Sequence, residues 1–166
     1  MILVCPGRHA EALAAAHRPS HVISLASPDA DLPAFPGLTA ERLILRFHDV
    51  AGPCEGLTPP DAGLVARLLD FAAGWDAARP LLIHCFAGVS RSTAAAYAIA
   101  CARSAPGAEA VLATMLRRLS PSATPNALMV ALADAKLGRQ GRMSAAVAAI
   151  GRGADCFESE TFSLPA

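Results

Sequence analysis

The chain has 166 residues, 54% of them apolar and 17% charged, with 14 basic side chains against 14 acidic ones. That is the length of one domain able to bury its own core, and no apolar run reaches the ~18 residues that span a bilayer. Zero formal net charge leaves no excess of Lys and Arg for a general nucleic-acid binder. The sequence opens on Met1-Ile2-Leu3-Val4 with no basic leader before an apolar region, so a cleaved export signal is not expected. The cysteines stand at positions 5, 54, 85, 101 and 156. An odd number without a C-x-x-C pair fits free thiols in a reducing cytoplasm better than a disulfide framework or a zinc site.

Ile2 to Cys5 and His21 to Ala26 are short runs of branched apolar residues that predict strands. Between them, Arg8 to His17 has helical composition. A loop rich in Pro, Asp and Gly (Ser27 to Gly37) leads to a third strand, Arg42 to Phe47. Pro59, Pro60 and Asp61 look like a helix start, and Leu64, Val65, Leu68, Leu69 and Phe71 form that helix's apolar face. A strand at Leu81 to His84 follows, then helices over about Ser92 to Arg103, Gly107 to Leu119 and Pro125 to Leu137. Arg142 to Ile150 suits one more helix. The alternation predicts an α/β fold, with a largely parallel central sheet of four to five strands flanked by helices. Residues 1–150 read as one domain and 151–166 as a tail whose Phe157, Phe162 and Leu164 are candidates to pack back on it. Trp75 is expected to cover the core between a helix and the Leu81 strand. His9, His17 and His21 have no spacing that suits zinc, so neither a metal nor a cofactor is expected.

The most informative stretch is His84-Cys85-Phe86-Ala87-Gly88-Val89-Ser90-Arg91-Ser92, which leaves a predicted strand and enters a predicted helix. A Cys followed six positions later by Arg is weak by itself. The preceding His, the Gly at the third loop position, the Ser after the Arg and the strand-loop-helix setting make it specific, and no other cysteine of the chain has Arg six positions on. Backbone N–H groups of Phe86, Ala87, Gly88, Val89, Ser90 and Arg91, together with a helix N-terminus, form a cradle for an anion. Arg91 adds a planar fork that grips two phosphate oxygens. Cys85 places a sulfur nucleophile against the bound group, and the Ser92 hydroxyl is positioned to donate to that sulfur.

HCFAGVSRS resembles the signature of the cysteine-dependent protein tyrosine phosphatase superfamily, most closely its small dual-specificity and atypical bacterial members. The resemblance implies that Cys85 attacks phosphorus to give a phosphocysteine. Arg91 would bind the phosphoryl oxygens, Ser92 would assist hydrolysis, and His84 would orient the loop and tune the thiol. It also implies an aspartic acid upstream, after a strand, that protonates the leaving oxygen and then activates water. Asp49 in Arg46-Phe47-His48-Asp49-Val50 is the first candidate, with Asp61 and Glu55 behind it. Asp61 has the competing reading of a helix cap. Arg117 to Asn126 is similar to the Arg-rich, Pro-Asn segment before the last helix of dual-specificity phosphatases, where Asn126 would support the site. The match spans about residues 40 to 137.

The chain departs from the larger tyrosine-specific enzymes in lacking a Trp-Pro-Asp acid loop and an aromatic recognition loop. Its uncharged Phe86, Ala87 and Val89 stand where phosphoinositide phosphatases of the superfamily often carry lysines. The function expected is therefore phosphomonoester hydrolysis in the cytoplasm, on a phosphorylated protein or a small phosphomonoester. Nucleotide, RNA and phosphoinositide substrates remain alternatives, as does a non-catalytic phosphate-binding module. Rhodanese-like and arsenate-reductase proteins also carry a loop cysteine, but the mid-chain Cys85 with His before it and Arg six residues on disfavours both. Cys54 and Cys101 are candidate resolving thiols if Cys85 is oxidised.

Overall fold

The computed structural model describes residues 1–165. Five strands, β1 (Ile2–Pro6), β2 (His21–Ala26), β3 (Glu41–Arg46), β4 (Leu81–Cys85) and β5 (Phe162–Leu164), form one sheet in the order β3-β2-β4-β1-β5. Strands β1 to β4 are mutually parallel, whereas β5 runs antiparallel along β1. The central strands are continuous apolar runs because both sheet faces are covered. Side chains alternate between those faces. Ile2, Val4, Ile23, Leu25, Leu81, Ile83 and Cys85 join the larger core, under helices α2 (Ala62–Ala73), α3 (Arg91–Ala102), α4 (Glu109–Leu119), α5 (Ala127–Lys136) and α6 (Arg142–Ile150). Leu3, Cys5, Val22 and Leu82 face a smaller core closed by Ala10 and Ala14 of α1 (Ala10–His17) and by Phe35. Among the described residues no helix is long and apolar enough to cross a membrane.

The predicted order of elements is the observed one, with three differences. The chain after β1 makes a 3₁₀ turn, Gly7–His9, before α1 begins at Ala10, so the first helix starts later than Arg8. Gly107 lies at φ +104°, outside helical space, and its N–H donates to Glu109 Oε2 at 2.8 Å, so α4 starts at Glu109. The C-terminal segment is part of the sheet. Val4 pairs with Phe162 and Ile2 with Leu164, and both of those tail residues are buried, but Phe157 is 81% exposed and does not pack into the body. A three-residue edge strand has too little periodicity to be read locally.

Trp75 is buried as expected, its indole N–H donating to Arg79 O at 2.7 Å. Asp61 caps α2, its Oδ1 accepting from Leu64 N at 2.7 Å. Because β1, β2 and β4 are parallel, their C-terminal ends share one edge, and Gly7, Ser27 and Phe86 emerge there together. In open parallel sheets that edge is where ligands bind.

Candidate active site

Residues Phe86 to Ser90 link the end of β4 to α3 as a loop whose carbonyls are all tied to the surrounding scaffold. Phe86 O accepts from Gly7 N (3.0 Å), Ala87 O from Ser159 N (2.9 Å), Val89 O from Thr124 N (2.9 Å) and Ser90 O from Asn126 N (3.4 Å). Gly88 O accepts from Ser159 Oγ at 3.1 Å, and Thr93 Oγ1 donates to Val89 O and Ser90 O. With the carbonyls tied to the scaffold, the loop amides are left to serve a ligand at the loop centre. The N–H of Gly88 donates to Cys85 Sγ at 3.3 Å. Gly88 adopts φ +75°, and a Cβ there would lie 2.4 Å from Ser159 Oγ and 2.8 Å from Pro6 N. Only glycine satisfies both the left-handed backbone and the close approach.

Cys85 is 4% exposed, and its Sγ lies 3.1 Å from Ser92 Oγ on the first turn of α3. Arg91 is also buried. Its Nη1 donates to Phe47 O at 3.2 Å and approaches Ser27 Oγ at 3.4 Å, and its guanidinium stands 5.9 Å from the Phe47 ring centre. Its Nε has no hydrogen-bond acceptor in the protein. A buried donor of that kind normally has a partner, and this one belongs to a side chain beside the thiol.

His84 points to the opposite face of β4. Its Nε2 shares a 2.7 Å hydrogen bond with Ser24 Oγ of β2, and Phe35 packs against the ring. Burial, aided by the Arg42 charge, lowers the His84 pKa to about 4, so the ring is neutral at physiological pH. It anchors β4 to β2 and bears on the loop through the backbone. Cys5, opposite His84 in the β1–β4 register, is likewise held as a thiol. Burial, with Cys85 adding to it, pushes Cys5 up to about 12.

Asp49 lies beside the far side of the loop. Its Oδ1 accepts from Ser90 Oγ at 2.7 Å and from Asn126 Nδ2 at 2.8 Å, and Oδ2 stands 3.8 Å from Arg91 Nε. Asn126 also donates to Val50 O at 3.2 Å and caps α5, accepting from Met129 N at 3.0 Å. Of the three candidate acids, the fold brings Asp49 to the loop and commits Asp61 to its helix cap, while Glu55 is exposed on the intervening turn. The two candidate resolving thiols fare differently. Cys101 sits near the C-terminal end of α3, about 15 Å along the helix axis from its start, too far for a disulfide with Cys85. Cys54 is exposed on the loop that follows Asp49.

No protein-family model matches the chain, and no curated protein sequence does. Solved structures do match. Human DUSP28 superposes with a TM-score of 0.63 at 19% identity, over 84% of this chain and 89% of that one. The human tyrosine phosphatase-like serine/threonine/tyrosine-interacting protein superposes with a TM-score of 0.63 at 18% identity, over 82% and 91% of the two chains. PTPMT1 in complex with PI(5)P gives 0.60 at 15% identity, over 90% and 93%.

The fold is that of the dual-specificity phosphatases.

Within this dual-specificity phosphatase fold, the sequence assigns no role to Ser159, which supports the loop, or to the Arg117 side chain, which supports the C-terminal segment. Ser159 braces Ala87 and Gly88 from a tail that has no motif of its own. Arg117, the first residue of the Arg-rich, Pro-Asn segment, spends its guanidinium on the backbone carbonyls of Ala123, Ile150, Gly151 and Arg152. An arginine doublet on an amphipathic helix carries no local sign of such a task.

Proposed function

We propose that the protein is a phosphomonoester hydrolase working through a phosphocysteine intermediate. The observation that carries this reading is the loop itself: five successive carbonyls tied outward, the Cys85 thiol inside, and Arg91 and Ser92 buried beside it. The thiolate of Cys85 attacks phosphorus as the ester P–O bond breaks, and Asp49 gives its proton to the departing oxygen. Amides of residues 86–91 and the Arg91 guanidinium stabilise the equatorial oxygens. In the second step a water attacks the phosphocysteine, passing a proton to Asp49. The S–P bond breaks, and Ser92 Oγ donates a hydrogen bond to the departing sulfur. Inorganic phosphate leaves, and the thiolate and the protonated acid are restored.

A cavity of about 410 Å³ opens onto Cys85 between Leu25–Pro33 and the Gly7–Arg8 turn. PTPMT1 was solved with a phosphoinositide, but this cavity supports a singly phosphorylated substrate better. Its lining cations are Arg91 and Arg8, the second ion-paired with Glu158, and it also presents Asp31. Additional phosphates would meet two carboxylates and no uncommitted cation.

The test is hydrolysis of phenyl phosphate in the presence of a chelator. Native protein should release phosphate while Cys85→Ser does not, and the variant should still bind the ester. Turnover by Cys85→Ser at the native rate would reject the mechanism. Ester binding without turnover by the native protein would favour the non-catalytic phosphate-binding module.

A further inference from the structure

The C-terminal segment does more than close the sheet. Arg117 gathers the carbonyls of Ile150, Gly151 and Arg152. Gly153 N donates to Thr124 Oγ1 at 3.1 Å, and Ala154 N donates to Pro121 O at 2.9 Å. A Cβ on Gly153 would fall 2.5 Å from the Ser122 backbone, so the chain lies flat against the segment that leads into α5. Further on, Ser159 grips the phosphate loop, Glu158 pairs with Arg8 across the cavity edge, and β5 locks to β1. The segment is thus a strap fastened before and after one residue, Phe157.

Phe157 is the most exposed large apolar side chain among the described residues, at 81%. It stands edge-on to Phe86, the first residue of the phosphate loop and itself 66% exposed, with ring centres 6.3 Å apart and planes at 78°. Two bared aromatic rings, one on the loop and one on a strap braced against it, form an apolar patch at the mouth of a site. Such patches mark binding surfaces. Leu32 and Pro33, half-buried, line the cavity into which this mouth opens.

We infer that Phe157, presented by the strap beside Phe86, is a specificity-determining residue that selects aryl over alkyl phosphate monoesters by packing on the ring that leaves with the ester oxygen. The phosphate half of this inference rests on the proposed function. A phosphate held by residues 86–91 directs its ester group outward past Phe86. A phenyl ring there gains edge-to-face contact and apolar burial, whereas a short alkyl group reaches neither ring. The phenyl group carried by the phosphate is supplied either by a phosphotyrosyl protein or by a free aryl phosphate.

The experiment measures equilibrium binding of phenyl phosphate and ethyl phosphate to Cys85→Ser, with and without Phe157→Ala, alongside kcat/KM of the native protein on phosphotyrosyl and phosphoseryl peptides. The aryl ester should bind more tightly. Phe157→Ala should reduce the aryl-to-alkyl binding ratio about five- to tenfold, and Phe157→Tyr should restore it. Equal binding of the two esters, or a ratio that Phe157→Ala leaves unmoved, would overturn the inference. Preference for the phosphotyrosyl peptide assigns the ring to a protein substrate, and turnover of the free aryl ester alone assigns it to a small molecule. Loss of turnover in the native protein with the binding preference intact would count against the hydrolase and leave the aromatic rim standing.

Discussion

The side-chain amide of Asn126 donates to Asp49 Oδ1 at 2.8 Å, joining residues 77 positions apart while the Asn126 carbonyl caps α5. One residue therefore sets the helix start and the orientation of the proposed acid. Asn126→Asp retains a good cap but replaces the donor with a carboxylate facing Asp49. Repulsion between the two carboxylates and the donor lost to Val50 O outweigh the retained cap, so the expected result is a stability loss of roughly 1–3 kcal/mol and a fall in kcat that grows with the leaving-group pKa. A leaving-group series, read with urea midpoints, checks both parts.

For Asp49 itself, Asp49→Ala should lower kcat by about 10²- to 10³-fold on an alkyl or phenyl ester, the range of one general acid. A nitrophenyl ester, whose leaving group needs little protonation, should be affected much less. The same behaviour in Asp61→Ala would move the assignment.

Ser92 Oγ, 3.1 Å from Cys85 Sγ, is proposed to serve the second step. Ser92→Ala should slow that step about 10- to 100-fold, the worth of one hydrogen bond to a charged group. Rapid mixing should then reveal a burst of phenol equal to the enzyme concentration, followed by slow turnover. A linear progress curve at the reduced rate would place the defect in the first step.

Gly88 joins backbone geometry to the strap. A Cβ would meet Ser159 Oγ at 2.4 Å and Pro6 N at 2.8 Å from a φ of +75°. Gly88→Ala should therefore cost roughly 2–4 kcal/mol, combining left-handed strain with overpacking. Chemical denaturation followed by the single Trp75 measures it.

Stability should also depend on pH through His84. Its folded pKa of about 4 lies below the ordinary histidine value of 6.5. Between these values the unfolded chain binds a proton that the folded chain does not, so stability falls as pH drops from about 6.5 to about 4 and levels off below. The total loss from this group is of order 3 kcal/mol. Urea midpoints from pH 7 to pH 4 should show the slope, and His84→Gln should flatten it.

Much of this protein is legible along the chain because its information is local. The apolar runs at Ile2, His21 and Leu81 declare buried parallel strands, and HCFAGVSRS compresses the proposed nucleophile, anion cradle and phosphate-binding arginine into one turn. The loop from Phe86 to Ser90 is a single strand-to-helix junction, so its geometry follows from neighbouring residues and the glycine among them. What tertiary structure alone decided lies in contacts between distant segments. Sequence spacing left Asp49, Asp61 and Glu55 as rivals; the fold turned Asp49 to Ser90 and Asn126 and used Asp61 to cap a helix. The sequence marks residues 151–166 only as a tail whose Phe157, Phe162 and Leu164 are candidates to pack back on the domain. Pairing with β1, the carbonyl-binding Arg117 and the bracing Ser159 made it a strap at the mouth. Each of those hydrogen bonds has a backbone group on at least one side, which every residue possesses, so no side-chain pattern announces the partner in advance.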